Sequence, residues 1–323
     1  MVRVGLIGLS PVWETRYRPA LKRLGERISV RAVYDPVTGR AEAVAADFGA
    51  RVASGILSLI ERDDADAYLL LDRAWQGMEA LQLIRRAGKP VYIAGSLGED
   101  LETIKQLHEA SISEGIPLVP EFSRRYTPAT ARLQELFATQ LGRPVQIEIA
   151  TCAPARDDET TIPGQGPGHD FFIGWFDWCR YLVRTPPGCV ESVDDRTVHI
   201  EYRQGKSGGV ASSVKLRIDE PSSDAEKDEQ QRNCQQITCE CGWVVLKSDT
   251  SIEWQAEGEA VVAESLSHDR PEVEVMLDHF CRRVVGGLIP VADLLDICRS
   301  LHLVRSLEES RKIDRPVHLN GEA

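Results

Sequence analysis

The chain has 323 residues, 42% of them hydrophobic and 27% charged, the profile of a globular protein long enough for two domains. A formal net charge of −12 argues against a nucleic-acid partner, because affinity for a phosphate backbone is mostly cationic. No apolar run approaches the roughly 20 residues that span a bilayer. The opening "MVRVGLIGLS" reads as a first strand rather than a secretory leader, so no membrane partner and a cytoplasmic location are expected.

In chain order, the first 120 residues alternate apolar runs with helical patterns. "VRVGLIGL" (2–9), "ISVRAVYD" (28–35), "DAYLLLD" (66–72), "PVYIAG" (90–95) and "IPLVP" (116–120) read as buried strands. Between them "RYRPALKRLGE", "TGRAEAVAADFG", "QGMEALQLIRRAG" and "EDLETIKQLHEASISEG" repeat apolar residues at helical spacing. Gly25, Gly49, Gly88 and Gly115 follow these helices, where a left-handed residue ends a helix cheaply. Strand–helix alternation predicts a parallel sheet covered on both faces.

The pattern then changes. A helix over about 127–139 leads into the strand "GRPVQIEIATC", and a second helical stretch covers 168–182. Residues 188–263 read as several strands of a mostly antiparallel sheet. The polar stretch 219–233 reads as a long surface loop, and helices over 271–285 and 291–311 close the chain. The eight cysteines contain no C-x-x-C pair; Cys239 and Cys241 are expected on one face of a strand, as structural thiols rather than zinc ligands. No metal site is predicted.

The first strand and helix carry a damaged dinucleotide signal. In G-x-G-x-x-G the glycines allow the tight turn, the close approach of a pyrophosphate, and helix–strand packing. Here those positions are Gly8, Ser10 and Trp13. Ser10 narrows the approach, and Trp13 forces the helix to shift or start later. Glu14 brings negative charge to the anion-binding helix end, with Arg16 and Arg18 available to offset it. Asp35 ends the second strand. It suits either a bond to the adenosine ribose, favouring NAD over NADP, or a turn before Pro36.

With these pieces in order, the sequence resembles the Gfo/Idh/MocA family, the relatives of glucose–fructose oxidoreductase and inositol dehydrogenase. The likeness runs nearly end to end, through "AVYDPVTGRAEAVAADFGA", "DADAYLLLDRAWQGMEALQLIRRAGKPVYIAGSLGED", "RRYTPATARLQELFATQLGRPVQIEIA", "HDFFIGWFDWCRYL" and "EESRKIDRPVHL". The resemblance implies an α/β Rossmann-type domain, set at 1–121, followed by an α+β domain with a large, mostly antiparallel open sheet, set at 122–323, whose last helix can pack back on the first. It also implies NAD or NADP as cofactor and a sugar or polyol ligand. A homo-oligomer joined through the sheet within 188–263 is expected, on the ground that large exposed apolar faces are uncommon on monomers.

The departures fall where the resemblance places the chemistry. The family's Glu-Lys-Pro, whose lysine holds the substrate hydroxyl, corresponds to Ala94, Gly95 and Ser96. Of the Asp-x-x-x-His pattern and later Asp on the family's catalytic helix, Asp170 and Asp177 match, but the histidine position is Gly174. The loop after the fourth strand, usually Thr-Pro with a later histidine, holds Asp72, Arg73 and Gly77. Loss of a base that takes the hydroxyl proton costs roughly 10²–10⁴-fold in rate. His169 and Asp170 are the remaining candidates to move a proton, whereas Lys89 and Lys105 read as surface charges. "SLGE" (96–99) fits a capping box, which lets the turn fold without chemistry. Arg125 and Tyr126 match a family pair near the substrate cleft, where they either contact a ligand or link the domains, and Trp175 either lines that cleft or packs in the core.

The expectation is therefore a catalytically degenerate family member, with weak or lost NAD(P) binding and a binding or assembly role. The alternatives are an active NAD(P)-dependent oxidoreductase using Asp170, His169 or Asp72 in unusual roles, and a non-redox enzyme such as a lyase.

Overall fold

A computed structural model describes residues 1–61, 64–72, 77–95, 97, 100–152, 168–203, 209–219, 234–287 and 291–319. The chain divides into two compact units, Met1–Ser123 with Pro271–Ile297, and Arg124–Arg270 with Cys298–Ala323. The helix expected over 271–285 thus belongs to the first unit.

In the first unit, β1 (Val2–Ile7), β2 (Ile28–Tyr34), β3 (Arg51–Val52), β4 (Ala67–Leu70), β5 (Val91–Ile93) and β6 (Leu118–Pro120) form one sheet. Its order is β3-β2-β1-β4-β5-β6, and every neighbouring pair is parallel. The helices between them are α1 (Arg18–Arg23), α2 (Thr38–Phe48), α3 (Ile56–Ile60), α4 (Gly77–Arg86) and α5 (Leu101–Glu114). The central strands are buried because both faces are covered: Val4, Leu6, Tyr68, Leu69, Leu70, Val91 and Ile93 are all fully enclosed. The order reverses between β1 and β4, and in open α/β sheets ligands bind beyond the strand ends at such a switch point.

Four details differ from the sequence reading or extend it. β3 and α3 are additional elements. α1 begins only at Arg18, after a π-helical turn Trp13–Tyr17. Gly49, Gly88 and Gly115 are left-handed as anticipated, but Gly25 is not, and Leu24 caps α1 instead. Finally, α5 is capped by Asp100, whose carboxylate accepts from the N–H groups of Glu102 and Thr103 at 3.1 and 3.4 Å. Ser96 and Glu99 of the anticipated capping box lie outside the described residues, as do Arg73 and most of the 219–233 loop.

The second unit carries β7 (Pro144–Cys152), β8 (Pro187–Ser192), β9 (Thr197–Arg203), β10 (Val210–Asp219), β11 (Cys234–Cys239), β12 (Gly242–Ser248), β13 (Ser251–Ala256), β14 (Val262–Ser265) and β15 (Val317–His318). They form one nine-stranded sheet in the order β14-β13-β12-β11-β7-β10-β9-β8-β15, antiparallel throughout except for the β7–β10 pair. Helix α6 (Pro128–Leu136) precedes the sheet and α7 (His169–Val183) lies between β7 and β8; α8 (Glu272–Val284), which belongs to the first unit, and α9 (Leu294–Ile313) lie between β14 and β15 in the chain.

Strand alternation buries Ile147, Ile149, Val214, Leu216, Val198 and Ile200 on one face. The other face presents Gln146, Glu148, Lys215, Arg217, His199 and Glu201. This corrects the argument for assembly: the open face is polar and charged, not an apolar patch in need of cover. Cys239 ends β11 and is buried, but Cys241 sits exposed in the hairpin turn before β12, so the two cysteines do not share a strand face.

Candidate functional site

The turn after β1 is built by Gly8, at φ +72°. A Cβ there would lie 2.7 Å from Cβ of Asp72 and 2.9 Å from its carbonyl oxygen, so only glycine lets the end of β1 touch the residues after β4. Asp72 thus stands at the switch point as a backing for Gly8.

The backbone of Leu9, the next residue of the turn, is satisfied by the protein itself. Asp35 accepts from the N–H of Leu9 through one oxygen and from the N–H of Val37 through the other, each at 2.9 Å. Arg40 donates to the carbonyl of Leu9, and its guanidinium lies 3.8 Å from Asp35. The Asp35 side chain is only 1% exposed. In this arrangement Asp35 organises the turn, with its carboxylate buried.

Ser10 is buried, with its hydroxyl lacking a hydrogen-bond partner, and Trp13 is buried edge-on against Phe48 with ring centroids 6.1 Å apart. Trp13 thus fills the place where a glycine would let helix and strand close up. Glu14 is exposed and paired with Arg18 at 2.8 Å, which offsets its charge at the helix start. Arg16 points the other way, into an ion pair with Glu121 and a 2.9 Å contact with Glu272.

That cluster was not foreseen. The Glu121 carboxylate, just past β6, accepts from the phenols of Tyr17 at 2.5 Å and Tyr92 at 2.9 Å. Burial, reinforced by the Glu121 charge, pushes both phenols well above the usual tyrosine range. The network anchors the segment after β1 to β5, β6 and α8.

An NAD(P) molecule would need free N–H groups in this turn, a small residue at the close approach, and a carboxylate open to the ribose. The Leu9 N–H and Asp35 are bonded to each other, and Trp13 occupies the packing position. These residues do not fit the cofactor's usual requirements. Gly95, after β5, has φ +71°, and a Cβ there would meet no described atom within 4 Å.

In the second unit the candidate residues gather on α7. Asp177 is 1% exposed and takes a bidentate pair from Arg125, Nε to Oδ2 at 2.8 Å and Nη2 to Oδ1 at 2.5 Å. Arg125 is therefore tied to α7 rather than offered to a ligand. Asp170 is exposed in the first turn of α7. His169 bonds Glu308 of α9 through Nε2 at 2.6 Å.

A Cβ added at Gly174 would again meet no described atom within 4 Å. Trp175 is buried, and the Arg124 guanidinium lies over its ring, 3.4 Å from the centroid. Trp178 donates to the Thr130 hydroxyl at 2.9 Å, and burial raises the Cys179 thiol, which marks both as core. Tyr126 is half-buried beside Arg125. Arg124 and Glu308 were missed by the sequence reading. The doubled arginine was the available signal for the first; nothing local signalled the second.

No protein-family model matches the chain. Inositol 2-dehydrogenase 2 of Saccharopolyspora erythraea is 30% identical over 212 residues, 63% of this chain and 58% of that protein. An inositol 2-dehydrogenase of Cereibacter sphaeroides is 28% identical over 191 residues, 56% of this chain and 54% of that protein. The chain thus spans little more than half the length of the curated relatives it matches.

Among solved structures, UDP-N-acetylglucosamine 3-dehydrogenase GnnA from Acidithiobacillus ferrooxidans superposes with a TM-score of 0.74 at 16% identity, over 96% of this chain and 97% of that one. The WlbA dehydrogenase from Bordetella pertussis, solved with NADH and UDP-GlcNAcA, gives 0.75 at 16% identity, over 98% and 97%. At these identities the likeness speaks for the fold: a parallel Rossmann-type sheet joined to a larger, mostly antiparallel one. Among the described residues no group of His, Cys, Asp and Glu could hold a metal ion, and no helix is long and apolar enough to cross a membrane.

Proposed function

We propose that this chain, a member of the Gfo/Idh/MocA family by its relatives and its fold, is a catalytically degenerate oxidoreductase homologue that acts by binding or assembly. One observation carries the reading. At the position of the family's base, Gly174, there is no side chain to accept a proton, and a Cβ there would meet no described atom within 4 Å. The buried Asp177 is committed to Arg125, which supports a structural role for it. The dehydrogenase relatives imply NAD(P) by family. Weak or lost binding is our reading here, supported by the closure of Asp35 on Leu9 and by the buried Trp13. A ligand of sugar or polyol type, a homo-oligomer and a cytoplasmic location belong to the same proposal.

The second reading, an active oxidoreductase, has one observation in its favour. A carboxylate bonded to one imidazole nitrogen orients the ring, and Glu308 does this for His169. The two readings are separated by screening polyols, sugars and their oxidised forms with NAD(H) and NADP(H), alongside calorimetry. The degenerate reading expects no turnover. It also expects NAD binding on the order of 1 mM, a loss of about 4 kcal/mol from a micromolar site, with NADP no better. Turnover abolished by His169→Ala or Asp170→Asn, or a Kd near 10 µM, reverses the choice.

A further inference from the structure

Several arginines of the second unit are matched to carboxylates. Arg125 is paired with Asp177, Arg132 with Glu264 and Glu135, and Arg143 with Glu240. Arg124 is different. It lies in the 3₁₀ turn Ser123–Tyr126, and its guanidinium makes no hydrogen bond or ion pair among the described residues. One face of the guanidinium is covered by the ring of Trp175, itself 2% exposed.

Burial pulls the Arg124 pKa below the usual arginine value, and the charge of Asp249 acts against that. The fold therefore holds a cation flat, shields one face from water, and leaves the donors along its edge unassigned. A planar fork fixed in this way matches two oxygens of a carboxylate or phosphate and gives a neutral hydroxyl much less. Trp175 follows Gly174 in sequence but stands about 100° further round α7, so the Arg124 stack rests on Trp175 alone.

We propose that Arg124 is an anion-recognising residue of this unit, and that the ligand is a small acid of the sugar class, bearing a carboxylate or a phosphate. The inference rests on the binding role proposed above and names the ligand's chemistry. A ligand anion would replace, at the guanidinium edge, the hydration that burial removes, while the indole keeps the fork from rotating away.

The test is a binding series on the full chain without cofactor, followed by calorimetry and by tryptophan emission, since Trp175 lies against the proposed contact. The probes are D-glucose, D-glucuronate and D-glucose 6-phosphate. At least one acid should bind about tenfold or more tighter than glucose, and raised salt should weaken that preference. The stronger of the two acids identifies carboxylate or phosphate. Arg124→Gln should abolish the preference, and Arg124→Lys should retain part of it, because the charge persists without the fork. Should Arg124→Gln fail to fold, the salt series and the lysine variant decide.

Equal binding of acid and neutral sugar, absence of binding by either acid, or an acid preference untouched in a folded Arg124→Gln overturns the proposal. Turnover of an acid on adding NAD or NADP sinks the degenerate reading and leaves the anion preference standing.

Discussion

Asp177 offers the sharpest test of whether α7 retains a catalytic remnant or a structural joint. It matches a family site position, yet its carboxylate is buried against Arg125, whose side chain is 5% exposed. Removing one partner of a buried pair strands the other in low dielectric, at a cost of about 3–5 kcal/mol. At roughly 2–4 °C per kcal/mol for a body of 150–250 residues, Asp177→Ala should lower Tm by about 6–20 °C. Asp177→Asn keeps the shape and one acceptor and should lose less. The double variant Arg125→Met/Asp177→Leu removes both charges and should recover most of the loss. Differential scanning calorimetry on all three variants reads the series directly. If Asp177→Ala shifts Tm by less than about 2 °C, or if the double variant is no better than the single, the structural reasoning is wrong.

Gly174→Ala should stabilise the chain by about 0.5–1 kcal/mol, because the added Cβ meets no described atom and glycine is costly inside a helix. A fall in Tm would show that the space is not open. The folded Tyr17 and Tyr92 phenols lie above the unfolded tyrosine value, so their contribution is fully present below about pH 10 and lost as pH rises through the folded values. Melting curves between pH 8 and 12 should fall more steeply for the wild type than for Tyr17→Phe; parallel curves contradict the network. The polar open face of the large sheet does not call for cover, so light scattering at micromolar concentration decides the assembly proposal: a dimer or larger supports it, and a monomer mass rejects it.

Much of the first unit is legible because a parallel sheet covered on both faces needs continuous apolar runs, and "VRVGLI" and "AYLLL" are such runs. β3 escapes notice because its two residues, Arg51 and Val52, are both exposed and too few to show a strand period. The losses at Gly95 and Gly174 are visible at once as residue types. The fate of the neighbouring polar groups is not, since it depends on directions that sequence does not encode. Asp35 reads equally as a ribose ligand or a turn former until the Leu9 N–H is seen to point at it. Arg124 and Arg125 are adjacent and alike, but a 3₁₀ turn rotates successive side chains by about 120°, sending one to Asp177 and the other to Trp175. The Glu121 cluster joins residues 16, 17, 92, 121 and 272, a grouping that no local pattern could announce.

The late return of the chain to its first unit has a consequence in time. Arg16, Arg23 and Arg27, near the N-terminus, find Glu272, Glu274 and Asp278 on α8. At roughly 5–20 residues per second, the ribosome needs about 8–30 s to pass from the end of the first segment to the end of α8. Through that interval the nascent Rossmann sheet can pair its strands, but α1 keeps a flank of arginines without these carboxylates. The first unit to begin therefore cannot close until Arg124–Arg270 of the second has emerged, and the second in turn waits for Cys298–Ala323.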